Sequence, residues 1–410
     1  MNAGDTAWVL MSTVLVFVMT PGLAFFYGGL VRRKNVLSIL MQCFIIMCAI
    51  SLQWVLYGYS LAFGPDTGWG IIGGLDWAGL KGVGGAPNGD YAATIPHLVF
   101  MIFQAMFAII TPALIIGAFA ERVKFSSFLV LTILWATLVY DPLAHWVWST
   151  GGWMRKLGAL DFAGGIVVHV SSGISALVMA LLLGKRIGYA SEPFRPHNLP
   201  FTVLGGALLW FGWFGFNAGS ALAANELAAN AFVTTNTATA AAGFAWALIE
   251  WRIHGAPTVL GTVTGAVAGL VAITPACGFV SPLSSIVIGA AASAICYMAI
   301  AVVKAKLGYD DSLDAFGVHG VGGAWGTIAT GLLAEKAVNP AGADGLFFGG
   351  FHQFLVQIAL VGVTVLYAAV VTFVLFKVID ALLGMKVDKK SEILGLDLSQ
   401  QCESAYTVVD

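Results

Sequence analysis

Two histidines stand inside otherwise apolar runs: His169 in Val168-His169-Val170-Ser171-Ser172-Gly173 and His319 in Val318-His319-Gly320-Val321-Gly322-Gly323. Each is followed four residues later by glycine. An ionisable side chain inside a bilayer costs a few kcal/mol on insertion scales and marks a functional position by default. A neutral imidazole has one donor and one acceptor nitrogen, so two of them side by side can hold a small polar solute or relay a proton. Either histidine alone reads equally well as an interior side chain bonded to a carbonyl; the matched pair favours function. A metal centre would need further ligands, and no Cys, His or carboxylate stands at ligand spacing to either.

Aromatic side chains form a second group. Phe103 and Phe107 are four apart and share a helix face, as do Phe216 and Ser220. A ring face attracts a cation, and a hydroxyl can accept a hydrogen bond from one. Spacing alone favours ordinary helix packing for these pairs. Trp146, Trp148 and Trp153 read first as an interfacial tryptophan belt in a loop. Asp161, opening Asp161-Phe162-Ala163-Gly164-Gly165, can cap a helix and lower the cost of a nearby cation.

The elements that must position these residues follow from composition. Only 10% of the 410 residues are charged and 59% are hydrophobic, too few polar side chains to cover a water-soluble surface. A net charge of −2 excludes the basic footprint of nucleic-acid binding, and five scattered cysteines suggest neither a disulfide framework nor a zinc site. Apolar stretches long enough to cross a membrane recur at 6–31, 36–62, 97–120, 125–143, 162–183, 201–222, 232–250, 257–274, 283–303, 314–334 and 350–384. The expectation is an all-α, polytopic integral membrane protein of eleven transmembrane helices, residues 1–384, with a polar cytoplasmic tail at 385–410. Placing the N-terminus outside puts fifteen Lys and Arg on the inner side and four on the outer, as the positive-inside rule requires. The first span lacks a basic leader and a small-residue cleavage site. The Gly-rich stretch from Gly64 to Pro96 reads as a solvated outer connector.

Splitting the chain after span five gives an inverted five-plus-five repeat with one extra helix, and such repeats place their site near the midplane between the halves. His169 lies eight residues beyond Asp161, about 12 Å along a helix, and His319 five beyond Asp314, about 8 Å along its own. The two histidines are therefore approached from opposite faces.

Several ordered motifs carry a family resemblance: Thr20-Pro21-Gly22 with Phe26-Tyr27-Gly28-Gly29, Phe103-Gln104 with Phe107, Asp161 through His169, Gly212-Trp213-Phe214-Gly215-Phe216-Asn217-Ala218-Gly219-Ser220, and Asp314 through His319-Gly320. Nearly end to end, the sequence resembles the ammonium transporter family (Amt/Mep/Rh), close to its bacterial members. The resemblance implies an outer ammonium-recruitment site at Trp148, Phe107 and Ser220 with Phe103 and Asp161 beside it, a pore gate at Phe107 and Phe216, and twin histidines, His169 and His319, sharing a hydrogen bond. Asp314 is read as support at the inner end. Also implied are no cofactor, a homotrimer with one pore per subunit, and a tail that docks a P-II-type signalling protein. In that tail Gln401-Cys402 replaces the usual His-Gly.

The mechanism expected is recruitment of NH4+ by cation-π contact, loss of its proton, and passage of NH3 past the histidines, with the proton relayed between them. A bare ion in a dry pore would cost tens of kcal/mol by a Born estimate. Potassium has no proton to give up. Cargo is thus ammonium or ammonia, with methylammonium as an analogue, in a cytoplasmic membrane. Rival readings are a passive ammonia channel of the Rhesus type, an ammonium sensor, for whose added signalling domain the 26-residue tail is short, and an enzyme, for which no nucleophile or cofactor motif accompanies the histidines.

Overall fold

A computed structural model describes residues 1–406, all helix and connection apart from three isolated bridges; the end of the expected tail, 407–410, lies outside the described residues. Eleven long helices follow one another: α1 (Ala3–Leu30), α2 (Arg33–Phe63), α3 (His97–Phe119), α4 (125–148), α5 (Gly165–Leu183), α6 (Leu199–Ala221), α7 (Glu226–His254), α8 (Val259–Ile273), α9 (Pro282–Leu307), α10 (316–333) and α11 (Phe351–Leu383). Eight are long and apolar enough to cross a membrane; α7, α8 and α10 are shorter or more polar and complete the bundle. Helices satisfy their own backbone, which is what a hydrocarbon solvent demands. The protein is a multi-pass, all-α membrane protein.

The halves pack alike. α1 packs on α2 and α3 as α6 packs on α7 and α8; α3 meets α5 as α8 meets α10; α2 meets α4 as α7 meets α9. α1 lies along α6 and α5 crosses α10, so the central contacts join equivalent helices. α5 starts beside the end of α4, where the Trp148 indole donates to Asp161 O, whereas α10 starts beside the end of α3, where Leu313 N donates to Gly117 O. Equivalent helices thus start at opposite ends of the bundle. The end bearing Trp148 is termed outer and the end bearing the basic loops inner.

Two expectations change. The fourth span does not stop near residue 143: α4 continues through a wide π-helical turn at Ala136–Tyr140 to Trp148, so Trp146 and Trp148 are helical and packed inward rather than in a loop belt. Asp141 and Pro142 mimic a helix end, but the wide turn accommodates the proline, and the buried carboxylate accepts from the Gln53 amide at 2.7 Å. The connector from Gly64 to Pro96 is not simply solvated. Trp77 stacks on Tyr59 with centroids 5.7 Å apart, Tyr91 stacks on Phe100 at 5.0 Å, and the Tyr91 hydroxyl donates to Phe63 O at 2.6 Å. In the tail, short helices α12 (Lys389–Leu394) and α13 (Leu396–Gln400) dock across the inner loops, with Asp397 accepting from Ser38 N and Gln400 from Phe125 N.

Candidate functional site

Glycines let α5 and α10 cross at backbone distance. A Cβ on Gly173 would run into the backbone of Gly320 and lie 2.8 Å from the His319 carbonyl carbon; one on Gly323 would lie 2.7 Å from the His169 Cβ. Each glycine follows its own histidine by four residues and touches the other's. The crossing therefore sets the two rings together, nearly parallel at 16° with centroids 5.4 Å apart. His169 also lies parallel to the Trp213 indole, 5.4 Å away. No hydrogen bond joins the imidazoles in this arrangement, where His169 is stacked between the Trp213 indole and the His319 ring. Both His169 nitrogens and the His319 Nδ1 are buried without a protein partner.

Both histidines sit in π-helical turns, Gly165–Val170 and Phe316–Gly320, a local widening that recurs at functional positions. An aspartate caps each turn. Asp161 Oδ1 accepts from Gly164 N at 2.8 Å and Gly165 N at 2.6 Å, and Oδ2 from Ile166 N at 2.8 Å and Val167 N at 3.2 Å. Asp311 does the same for α10, accepting from Ala315 N at 3.1 Å and Phe316 N at 2.8 Å. Asp311 was missed by the sequence reading, although it precedes His319 by eight residues just as Asp161 precedes His169. Asp314 serves differently. With φ at +62° it turns the chain, and it pairs with Lys304 at 2.6 Å, lining the inner vestibule. The helices begin only four and three residues before their histidines, so depth counted from Asp161 and Asp314 does not measure helix length.

An outer vestibule of about 230 Å³ opens onto Phe107, Trp148 and Ser220. The Trp148 indole donates to Asp161 O at 3.0 Å and stands edge-on to Phe107, centroids 5.8 Å apart. Ser220 Oγ donates to Phe216 O at 2.8 Å, leaving its lone pairs to the cavity. Two expected members do not face this space. Phe103 is fully buried behind Phe107, because Gly219 lets the end of α6 close over its ring. The Asp161 carboxylate is occupied by its four N–H donors. Phe107 and Phe216 pack at 4.4 Å between centroids and floor the vestibule.

Beneath them lies a passage of about 10 Å³ lined by Ile110, Leu114, Val168, Trp213, His169 and His319. One water needs at least that much. Past His319 the space opens into an inner vestibule of about 410 Å³ that includes Tyr27, Trp246, Glu250 and Asp314. Among the described residues no three His, Cys, Asp or Glu cluster as metal ligands.

Polar contacts hold the outer mouth and ion pairs the inner one. At the outer one Asp66 accepts from Gly68 N and Gly70 N and pairs with His145 at 3.1 Å. Burial raises this carboxyl, but those bonds outweigh it and hold Asp66 below its ordinary range. At the inner mouth buried Asp310 binds Arg186 at 2.8 Å and Arg122 at 3.2 Å, while Glu121 binds Arg186 at 3.2 Å and Arg32 at 2.7 Å. Burial opposes ionisation of both acids; the guanidiniums prevail and keep both below the usual carboxylate range.

The Ammonium Transporter Family model matches residues 7–406. The chain belongs to this family. It is 56% identical over 407 residues to the ammonium transporter of Bacillus subtilis (strain 168), covering 99% of each chain, and 51% identical over 408 residues to ammonium transporter Amt1 of Archaeoglobus fulgidus, covering 99% of this chain and all of that one. Among solved structures, Mep2 of Saccharomyces cerevisiae superposes with a TM-score of 0.89 at 37% identity, over 95% of this chain and 88% of Mep2. The family is one of transporters rather than enzymes, and the fold is that of Mep2.

Proposed function

We propose that this protein transports ammonium, binding NH4+ in the outer vestibule and passing NH3 through the narrow passage. The observation that carries the reading is two vestibules separated by a constriction of about 10 Å³, apolar except for two imidazoles with unpartnered nitrogens. Trp148 and Phe107 offer ring faces, each worth roughly 0.5 to 2 kcal/mol to a cation, and Ser220 offers an oxygen. These replace part of the ion's hydration but not all, so the ion gives up a proton to water in the outer vestibule and NH3 alone passes between Phe107 and Phe216. Ammonia then meets His169 and His319, whose free nitrogens accept and donate hydrogen bonds that the apolar walls cannot. When the proton left in the vestibule follows, a water or solute bridging the two rings, 5.4 Å apart between centroids, can hand it along. Transport is then electrogenic. Potassium keeps its charge and stops at the rings.

The reading extends to the assembly: a homotrimer in the cytoplasmic membrane, N-terminus outside, with the docked tail as the surface for a P-II-type protein. Its support is the resemblance, together with the clustering of Lys34, Arg122, Lys124, Lys185, Arg186 and Lys386 at the end where the tail docks. Solid-supported-membrane recording on proteoliposomes tests the mechanism. His169→Ala should abolish the ammonium current or its selectivity over potassium. An unchanged, selective current removes the histidines from the mechanism, and internal pH change without current makes the protein a passive ammonia channel.

A further inference from the structure

The outer vestibule holds a cation of its own. Arg155, in the short helix Trp153–Lys156 just beyond α4, lines the same cavity as Phe107, Trp148 and Ser220. Its Nη1 donates to the Trp148 carbonyl at 2.5 Å, which ties the guanidinium to the residue whose ring faces the cavity. Arg155 is exposed to solvent at the vestibule rim, and among the described residues no carboxylate pairs with it. Asp161, six positions along the chain, is spent on four N–H groups, and Asp66 is engaged by His145 and the loop amides.

An unpaired positive charge beside a site for positive ions needs a reason. Repulsion scales with the product of the charges, so a fixed guanidinium penalises a divalent ion twice as heavily in free energy as a monovalent one. The ring faces and the serine oxygen lack that discrimination, because both attract a doubly charged ion more strongly. We propose that Arg155 is a selectivity-determining residue, a charge filter that excludes divalent cations from the outer vestibule while lowering the dwell of ammonium only slightly. The proposal rests on the reading of this vestibule as the ammonium-recruitment site.

Two unit charges about 8 Å apart in a water-like medium change affinity by about two- to threefold, and a divalent ion by about five- to tenfold. Screening at high salt removes most of this. The test compares Arg155→Gln and Arg155→Lys in proteoliposomes, recording ammonium currents at low and high ionic strength with and without Mg2+. In Arg155→Gln the KM for ammonium should fall about two- to threefold at low salt only, and Mg2+ should become a competitive inhibitor at about five- to tenfold lower concentration. Arg155→Lys should match the parent. A KM and Mg2+ sensitivity unmoved in Arg155→Gln overturns the filter, as does Arg155→Lys behaving like Arg155→Gln, which would assign the effect to the Trp148 hydrogen bond. Ser220→Ala separates the two readings: if it raises KM while Arg155→Gln does nothing, only the filter fails; if KM moves in neither, the recruitment reading falls and takes the filter with it.

Discussion

The contact that brings the histidines together can be broken by one methyl group. In Gly173→Ala the new Cβ would lie 2.8 Å from the His319 carbonyl carbon, where ordinary contact begins at 3.4 Å, so α5 and α10 must separate by at least 3.4 − 2.8 = 0.6 Å there. The Gly320 backbone is closer still and has no rotamer to yield. Overpacking of this kind costs about 1–3 kcal/mol. Alanine returns roughly 1 kcal/mol through its better helix propensity. The net cost, about 0 to 2 kcal/mol by this count, is small for a chain of this size, and the ring pair opens from 5.4 Å by more than the 0.6 Å that the His319 contact alone requires. Rings that far apart no longer both reach one small solute between them, because hydrogen bonds weaken steeply beyond their normal range.

Gly362→Ala supplies the control. Its Cβ would meet nothing within 4 Å, so it gains propensity without a clash. Gly323→Ala supplies the symmetric case, pressing on the His169 Cβ from the other side. Reconstituted into proteoliposomes, Gly173→Ala and Gly323→Ala should each lose at least about tenfold of the ammonium current, the equivalent of about 1.4 kcal/mol at the pore, with melting temperatures within a few degrees of the parent. Gly362→Ala should transport normally. A Gly173→Ala protein that folds and carries a full, selective current would show that the ring spacing is irrelevant to transport.

Three further outcomes follow from the same geometry. Phe107→Ala removes one of two rings packed at 4.4 Å and joins the outer vestibule to the passage, so a potassium current absent from the parent should appear in the same recordings. The inner ion cluster gives a pH dependence with a definite sign: Glu121 and Asp310 are held below their ordinary ranges, so their contribution to stability is fully present above the unfolded values near about pH 4 and is lost as pH falls through the lower folded ones. Melting temperature and protease resistance of the docked tail should therefore stay flat from about pH 7 to about 5 and drop below about 4. Cys402 has φ at +57°, a left-handed conformation that costs a non-glycine residue about 1–2 kcal/mol, and this turn lets Glu403 N reach Asp397 O at 3.1 Å. Cys402→Gly should tighten the docked tail by about that amount, read as slower hydrogen exchange over 389–400.

Much of this architecture could be read from the chain, and the failures share a physical cause. Long apolar runs announce their spans because hydrocarbon tolerates little else. Spacing of His and Gly announced the repeat, since a crossing at backbone distance demands glycine at a fixed offset from what it positions. The errors arose where a polar group is answered by a partner distant in sequence. Asp141 and Pro142 read as the end of a span because nothing nearby indicates that Gln53, on another helix, satisfies the carboxylate, and so Trp148 was placed in a loop. Phe103 shares a face with Phe107, yet a face can be covered, and Gly219 on α6 determines that this one is. Asp311 is the instructive miss, because its signal was present: an eight-residue interval identical to that between Asp161 and His169. Asp314, read as the inner-end support, lies only five residues before His319. Capping follows a different rule, since a carboxylate satisfies orphan N–H groups only from a few residues ahead of the first turn. Applied to both halves, that rule selects Asp161 and Asp311 together, each holding open the wide turn that carries its histidine. Those two turns carry the histidines at the crossing of α5 and α10, so a search for such sites should weigh the aspartate eight residues upstream together with the histidine itself.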